Sequence, residues 1–484
     1  MIEINEDFID GEAPNSNAIK NGRGLLVKGK FVELHKSKDD TLIFGECSGS
    51  GQSNYVCSCD FLDPAKPVYR CSCPSRQFPC KHCLGLMYAY ADGKKFKAAG
   101  IPEDIAEKRA KAQQRVQKRQ EQATKPKKIN KAALKKKIAA KLKGLDLLEQ
   151  LTHDLVRAGM GNMNAKLARQ IEDQAKQLGN AYLPGAQSAL HNYTKLFVED
   201  DWYFDAEISA KNRERVYSEA MAQLTQLNAL VKQGRKYLSE RLADAELAPE
   251  IDTPIAEWLG HAWQLSELKT AGLVESNVEL IQLAFNSYDD VARREFVDTG
   301  VWMNLATGVI QLTQTFRPYK AVKYIKSEDS FFQVRQVPEL CRYPGKVNPR
   351  VRWDAATTRQ IDGKDLQAIR CHGQRTFAAL VKQIKGDLKS PLANKRPIAA
   401  LSYSQIATVG NKLVVEDTQG DRIAFTESGL SEEPPSCHLL WLLPKEMHKD
   451  QTLIARFHHD LDSHTLKVKP LSIITKSQIY RLTL

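Results

Sequence analysis

Four cysteines and a histidine fall within the thirteen positions from Cys71 to Cys83, in the stretch RCSCPSRQFPCKHCLGL (Arg70 to Leu86). Thiolate and imidazole are the ligands that structural zinc takes, four at a time and in a tetrahedron. Cys71 and Cys73 flank a single serine, so a tight turn ahead of Pro74 can aim both sulfurs at one point. Seven residues on, Cys80 and His82 supply a third sulfur and a ring nitrogen where a helix should begin. The spacing C-x-C-x6-C-x-H therefore predicts Cys71, Cys73, Cys80 and His82 as ligands of one zinc ion. Two other readings use the same residues. Cys80-Lys81-His82-Cys83 is also a C-x-x-C, the spacing of a redox pair, which would leave Cys71 and Cys73 without a role. An all-cysteine zinc site would replace His82 by Cys83. Cys83, however, continues the apolar stripe Leu86, Met87, Tyr90, where a buried thiol acts as a small hydrophobe. Four protein ligands leave no position for water, so such a site is structural and not hydrolytic.

These ligands need a scaffold. Between residues 25 and 73 the runs FVELHK, TLIFGEC, SNYVCSCDF and PVYRC alternate like strands, separated by SGSGQS and the Pro64/Pro67 region. They predict a small antiparallel sheet. After Pro79 the apolar spacing turns helical, with Gly93 as a stop. A second C-x-C, Cys57 and Cys59, is explained by alternation in a paired hairpin, with Cys47 the only obvious helper for a second metal site.

The expected class is α+β and multidomain: a small β-rich zinc-finger module over 1–93, with the finger at about 67–92, a basic and partly helical linker over 94–143, a helical domain over 144–297 and a β-rich C-terminal region over 298–484. Leu134, Ile138, Leu142 and Leu145 mark entry into packed helix. The last ~80 residues alternate like a small barrel or sandwich.

At 484 residues and 42% apolar content the chain can bury several cores. The opening MIEINEDFIDGEAPN is acidic and has no basic start with an apolar run, so no signal peptide is expected there. No apolar run approaches the ~20 residues of a membrane span. A cytoplasmic location is expected, because seven of the ten cysteines crowd into 47–83 instead of being spread as in a disulfide scaffold.

The net charge of +12 is local. Residues 92–143 hold 18 of the 70 Lys/Arg but only 5 of the 58 Asp/Glu, which leaves 52 against 53 elsewhere. Arg76 and Lys81 in the finger, with Lys108, Arg109, Lys111, Arg115, Lys118, Arg119, Lys127, Lys128, Lys135, Lys136 and Lys137, are the candidate phosphate contacts. No aromatic falls between Lys108 and Lys137, so base stacking is not expected there, and a solvated charged spacer explains the run equally. His458, Asp460, Asp462 and His464 have metal-like spacing, but DLDSHT reads more simply as a hairpin turn. The common nucleotide-binding and hydrolase motifs are missing from the sequence, so no enzyme is expected. An enzyme in the C-terminal half would show itself as a deep polar pocket around His458 or Arg350.

Cys71-x-Cys73 followed by Cys80-x-His82 at a helix start resembles the SWIM zinc finger. Other segments, IFGECSGSG, GLDLLEQLTHDLVRAG, FRPYKAVKYIKSEDSFF and YPGKVNPRVRW, are similar to bacterial SWIM zinc finger family proteins. Cys57-Ser58-Cys59 departs from that pattern. The resemblance implies one structural zinc ion and a role in protein–protein contacts, as helper of a MoxR-type AAA+ ATPase or a von Willebrand A-domain protein. The alternative is a DNA-binding protein that uses the finger and the basic linker.

Overall fold

The computed structural model describes residues 4–49, 53–62, 67–75, 77–111, 131–199, 202–203, 210–244, 247–291, 293–322, 325, 327–427, 434–461 and 463–483. The chain divides into two units, Met1–Lys127 and Lys128–Leu484.

The first unit opens with α1 (Glu6–Glu12) and α2 (Ser16–Val27). Amides at a helix start lack intrahelical acceptors. Here Asn5 accepts from the Phe8 amide at 2.8 Å and Asn15 from the Ala18 amide at 2.9 Å. Four antiparallel strands follow, β1 (Phe31–Ser37), β2 (Leu42–Cys47), β3 (Tyr55–Asp60) and β4 (Val68–Cys71), then α3 (Lys81–Ala91). β5 (Lys97–Ala99) adds to β1 in parallel, giving the order β4-β3-β2-β1-β5. A further helix, α4, is described over 103–111. Ile43, Cys57, Cys59 and Phe61 from the sheet side pack against Cys83, Leu84, Leu86 and Met87 of α3 and Ile9 of α1. A Cβ at Gly22 would lie 2.9 Å from the Leu84 Cβ, so α2 and α3 cross at backbone contact.

The second unit begins with helices. α5 (Lys131–Ala158), α6 (Ala165–Asn180) and α7 (Pro184–Lys195) lead to the short pair β6 (Val198–Glu199) and β7 (Trp202–Tyr203) and to the long α8 (Ala210–Ala243). Ile138, Leu145, Leu148 and Leu155 of α5 form one stripe, and Ala220, Leu224, Leu227 and Val231 of α8 face the same core. This is the i, i+3/i+4 pattern of an amphipathic helix. Two short helices, α9 (Ile255–Trp258) and α10 (Leu265–Thr270), close the layer.

Two curled sheets complete the unit. In the first, β8 (Val274–Asp290), β9 (Glu295–Asn304) and β10 (Ile310–Pro318) form a meander, and β11 (Val334–Arg342) returns to β8. β12 (Val351–Arg352) and β13 (Thr357–Arg359) pair with β11. The Leu312 amide of β10 donates to the Pro349 carbonyl at 3.1 Å, so β10 at one end of the sheet meets the chain entering β12 at the other, closing a small barrel. After α11 (Gly363–Cys371) and α12 (Phe377–Leu388) come β14 (Ile398–Ser402), β15 (Gln405–Val409), β16 (Lys412–Glu416), β17 (Arg422–Phe425), β18 (Thr452–Asp460), β19 (Thr465–Ile474) and β20 (Ile479–Arg481). The order β14-β18-β19-β17-β16-β15 puts β14 and β15 at opposite ends, yet only Tyr403 and Ser404 separate them. This sheet therefore closes as well. Phe377, Leu380 and Ile384 of α12 pack against its Leu401, Val415, Leu453 and Phe457.

The architecture is α+β, as expected. The boundaries differ in two places. Residue 143 falls inside α5, which runs unbroken from Lys131, because the apolar stripe begins within the lysine-rich segment. Helix was expected up to 297, but β8 starts at Val274. VELIQLAF is buried on both faces, so it shows no strand alternation in the sequence and resembles a buried helix. His458 and Asp460 end β18 and His464 precedes β19, which makes this stretch a hairpin. Among the described residues no helix is long and apolar enough to cross a membrane.

One buried cation tests this packing. Lys141 of α5 is 8% exposed and donates to the Leu259 carbonyl. Burial, helped by the fields of Lys137 and Arg241, pushes its ammonium down to about 8. The folded state then sheds its proton before the unfolded chain does. The desolvation penalty is complete below pH 8 and disappears by the ordinary lysine value, so stability should rise across that window. Replacing Lys141→Met should raise the melting temperature at pH 7. Its advantage over the native chain should shrink by about 3 kcal/mol as pH climbs through 8 to 10.5, measured by thermal unfolding.

Candidate metal centre

Cys71 ends β4, Cys73 lies in the turn after it, and Cys80 is the N-cap residue of α3, with His82 in the helix's first turn. The turn is pinned to the sheet through Ser72. Its amide donates to the Val56 carbonyl at 2.9 Å, and its hydroxyl accepts from the Val56 amide at 3.0 Å. The Tyr55 ring lies 4.9 Å from that of His82, between centroids, and fixes the face it presents.

The ligand atoms of Cys71, Cys73, Cys80 and His82 all lie within 4.8 Å of one another. His82 uses Nδ1, 3.6 Å from the Cys71 sulfur and 3.9 Å from that of Cys80. Zinc–sulfur bonds of about 2.3 Å and zinc–nitrogen bonds of about 2.0 Å set tetrahedral edges of roughly 3.5 Å for S···N. The donor set and its spacing fit zinc. Among the described residues no other group of three or more Cys, His, Asp or Glu side chains gathers in this way.

The other four cysteines of the first unit, Cys47, Cys57, Cys59 and Cys83, are packing residues. The Cys83 sulfur is 3.8 Å from that of Cys80 but donates away from the cluster, to the Arg70 carbonyl at 3.4 Å, and the residue is fully buried. Cys57 donates to the Gly45 carbonyl and Cys59 to the Cys83 carbonyl, at 3.5 and 3.6 Å. Burial pushes both thiols up, which keeps them neutral. Cys47 is likewise fully buried. The chemistry of a second metal site is missing here, since these sulfurs face backbone carbonyls in an apolar core.

The basic candidates separate into different fates. Arg109 had been expected to face phosphates. Instead its side chain is one-tenth exposed and grips Asp60 with Nη2 at 2.7 Å and Nε at 3.2 Å, while reaching the Thr41 hydroxyl at 3.0 Å. Arg70 approaches the same carboxylate at 3.1 Å. Burial alone would push Asp60 up, but the Arg109 guanidinium, the Leu62 amide and Arg70 outweigh it and hold the carboxyl low. A run of exposed lysines gives no hint in the sequence that one arginine among them closes a buried pair 49 residues away. Lys108 pairs with Asp104 and Lys111 with Glu107 along α4. Lys81, Lys135, Lys136 and Lys137 are exposed, the last with its ammonium 5.3 Å from the centre of the Tyr182 ring. Arg76, Arg115, Lys118, Arg119, Lys127 and Lys128 lie outside the described residues.

Beside the cluster opens a cleft of about 810 Å³ whose lining includes Asn15, Asn17, Asn21 and Gln77, together with Lys30 and Lys81. Sequence reasoning missed it because three of these amides come from α2 and its N-cap, some fifty residues before Cys71.

Two outcomes are expected. Metal analysis should find zinc retained in Cys83→Ala and lost or weakened at least about ten-fold in His82→Ala, as expected when one of four ligands goes. Replacing Arg109→Ala should cost the first unit about 2 kcal/mol in thermal or denaturant unfolding, since it leaves a buried carboxylate half-compensated. That cost should fade as pH falls through the carboxylate range, where Asp60 takes up a proton and needs no counter-charge.

No curated protein and no solved structure matches the chain. Residues 65–91 match the sequence model of the SWIM zinc finger, so the chain carries a SWIM zinc finger whose span contains the cluster of Cys71, Cys73, Cys80 and His82.

Proposed function

We propose that this chain is a non-enzymatic adaptor in which one structural zinc ion holds a SWIM module that contacts another protein. The observation that carries the reading is that Arg70 and the cations of α4 are committed to carboxylates. In α4, Glu103, Asp104 and Glu107 match Lys108, Arg109 and Lys111 in number, and Arg70 and Arg109 are both committed to Asp60. A nucleic-acid surface needs uncompensated cations. The cleft beside the cluster is rich in side-chain amides, which pair with peptide groups as both donors and acceptors. Four protein ligands fill a zinc tetrahedron, and such a metal contributes roughly 10–16 kcal/mol of apparent binding free energy to folding. All ten cysteines are free of disulfides, which suits a reducing cytoplasm.

By the resemblance, the partner would be a MoxR-type AAA+ ATPase or a von Willebrand A-domain protein. The surplus of lysines between 92 and 143 keeps DNA binding as the competing reading. Pull-down of the full chain with and without nuclease separates the two. The adaptor reading expects one protein, identifiable as such an ATPase or A-domain protein, that stays bound after nuclease and in moderate salt. Recovery of nucleic acid alone, released steeply by salt, would overturn it.

A further inference from the structure

Arg335, on β11, lays its guanidinium over the Phe331 ring, 3.8 Å from the centroid. Among the described residues no carboxylate pairs with it, and its Nε is buried without a hydrogen-bond partner. Burial holds the group below its usual range, and the field of Glu328 offsets this only in part. A partly buried cation with no paired carboxylate costs stability.

Arg335 lines a cavity of about 900 Å³ at one side of the first barrel. Two further residues of the same lining hold buried N–H groups without acceptors. Trp263 is 7% exposed and its indole Nε1 is unpartnered. Arg350, stacked 3.9 Å over Tyr343 and paired with Glu257, has a buried and unpartnered Nε. Around these donors stand flat faces. Trp302 packs edge-on against Trp353 with centroids 5.5 Å apart, and Phe331 lies 5.9 Å from Trp302.

We infer that this cavity is a binding site for a compact anion carried on a planar ring, the chemistry of a nucleoside monophosphate. The ring would stack on the partly exposed Trp353, and the anion would pair with the Arg335 guanidinium and bring it the carboxylate-like counter-charge it lacks. The volume lies within the range of small-molecule sites. Charge decides between a free nucleotide and a strand. Among the described lining residues the cations are three arginines, Arg335, Arg350 and Arg352, and Arg350 is already paired with Glu257, too few for the row of phosphates that a strand presents.

Calorimetric titration of the full chain with AMP tests this, with adenosine, inorganic phosphate and a twelve-residue oligoadenylate as further arms. AMP should saturate one site, with adenosine and phosphate each at least about ten-fold weaker, because each lacks one of the two contacts. Arg335→Gln should weaken AMP at least about ten-fold while its melting temperature stays level or rises, since the uncompensated charge is gone. Trp353→Ala, at the half-exposed edge of the cavity, should weaken AMP by a similar factor. The inference is overturned if AMP does not saturate, if both variants bind it as the native chain does, or if Arg335→Gln lowers the melting temperature while AMP affinity is unchanged. An oligoadenylate that binds more tightly than AMP would overturn the free nucleotide.

Discussion

Three sulfurs and a ring nitrogen within 4.8 Å of one another cannot bear the charge that makes them good ligands unless a cation sits among them. Like charges at such separations repel strongly in a partly buried setting. A zinc ion held by these four side chains would remove that conflict and tie the end of β4 to the first turn of α3. α3 in turn supplies Cys83, Leu84, Leu86 and Met87 to the core beneath the sheet, and α2 can reach it only through Gly22. The end of the sheet, its covering helices and the cleft beside the finger therefore meet at these four side chains. A module this small has little apolar area with which to do the same.

Charge in the first unit is organised around Asp60, which is 3% exposed and holds two arginines. This links α4 to the sheet through groups that the linear sequence places in a basic spacer. The same principle, read in the opposite direction, marks the first barrel of the second unit. There a guanidinium is held over an aromatic ring with no carboxylate paired to it among the described residues. Compensated cations build structure here; at Arg335 the missing carboxylate is what the proposed ligand would replace.

The finger was legible because its chemistry is local: four ligands within twelve positions and a helix announced by Cys83, Leu86, Met87 and Tyr90. The stop at Gly93 is also a local signal, since its φ of +71° is costly for other residues. β1 to β4 were legible from alternation between turn-rich breaks. β8 was not, because a strand covered on both faces loses its period. The cleft and the cavity were invisible for another reason. Asn15 and Gln77, or Trp263 and Arg335, meet only after folding, and each alone reads as an ordinary turn, strand or core residue; of the cavity's lining the sequence singled out Arg350 alone.

The link through Tyr403 and Ser404 has a consequence for how the last barrel can assemble. The Tyr403 amide bonds to the Gln451 carbonyl and the Ser404 amide to the Glu416 carbonyl, at 3.0 and 2.9 Å, so adjacent residues belong to seams closed with very different parts of the chain. β15 can zip onto β16 at once through a hairpin. β14 must wait for β18, some fifty residues later in synthesis. The ring is thus latched by its final strands, and a ribosome that has not yet delivered them leaves an open, unpaired edge. High sequence separation of this kind slows closure, and an exposed edge in the interval invites pairing with other chains.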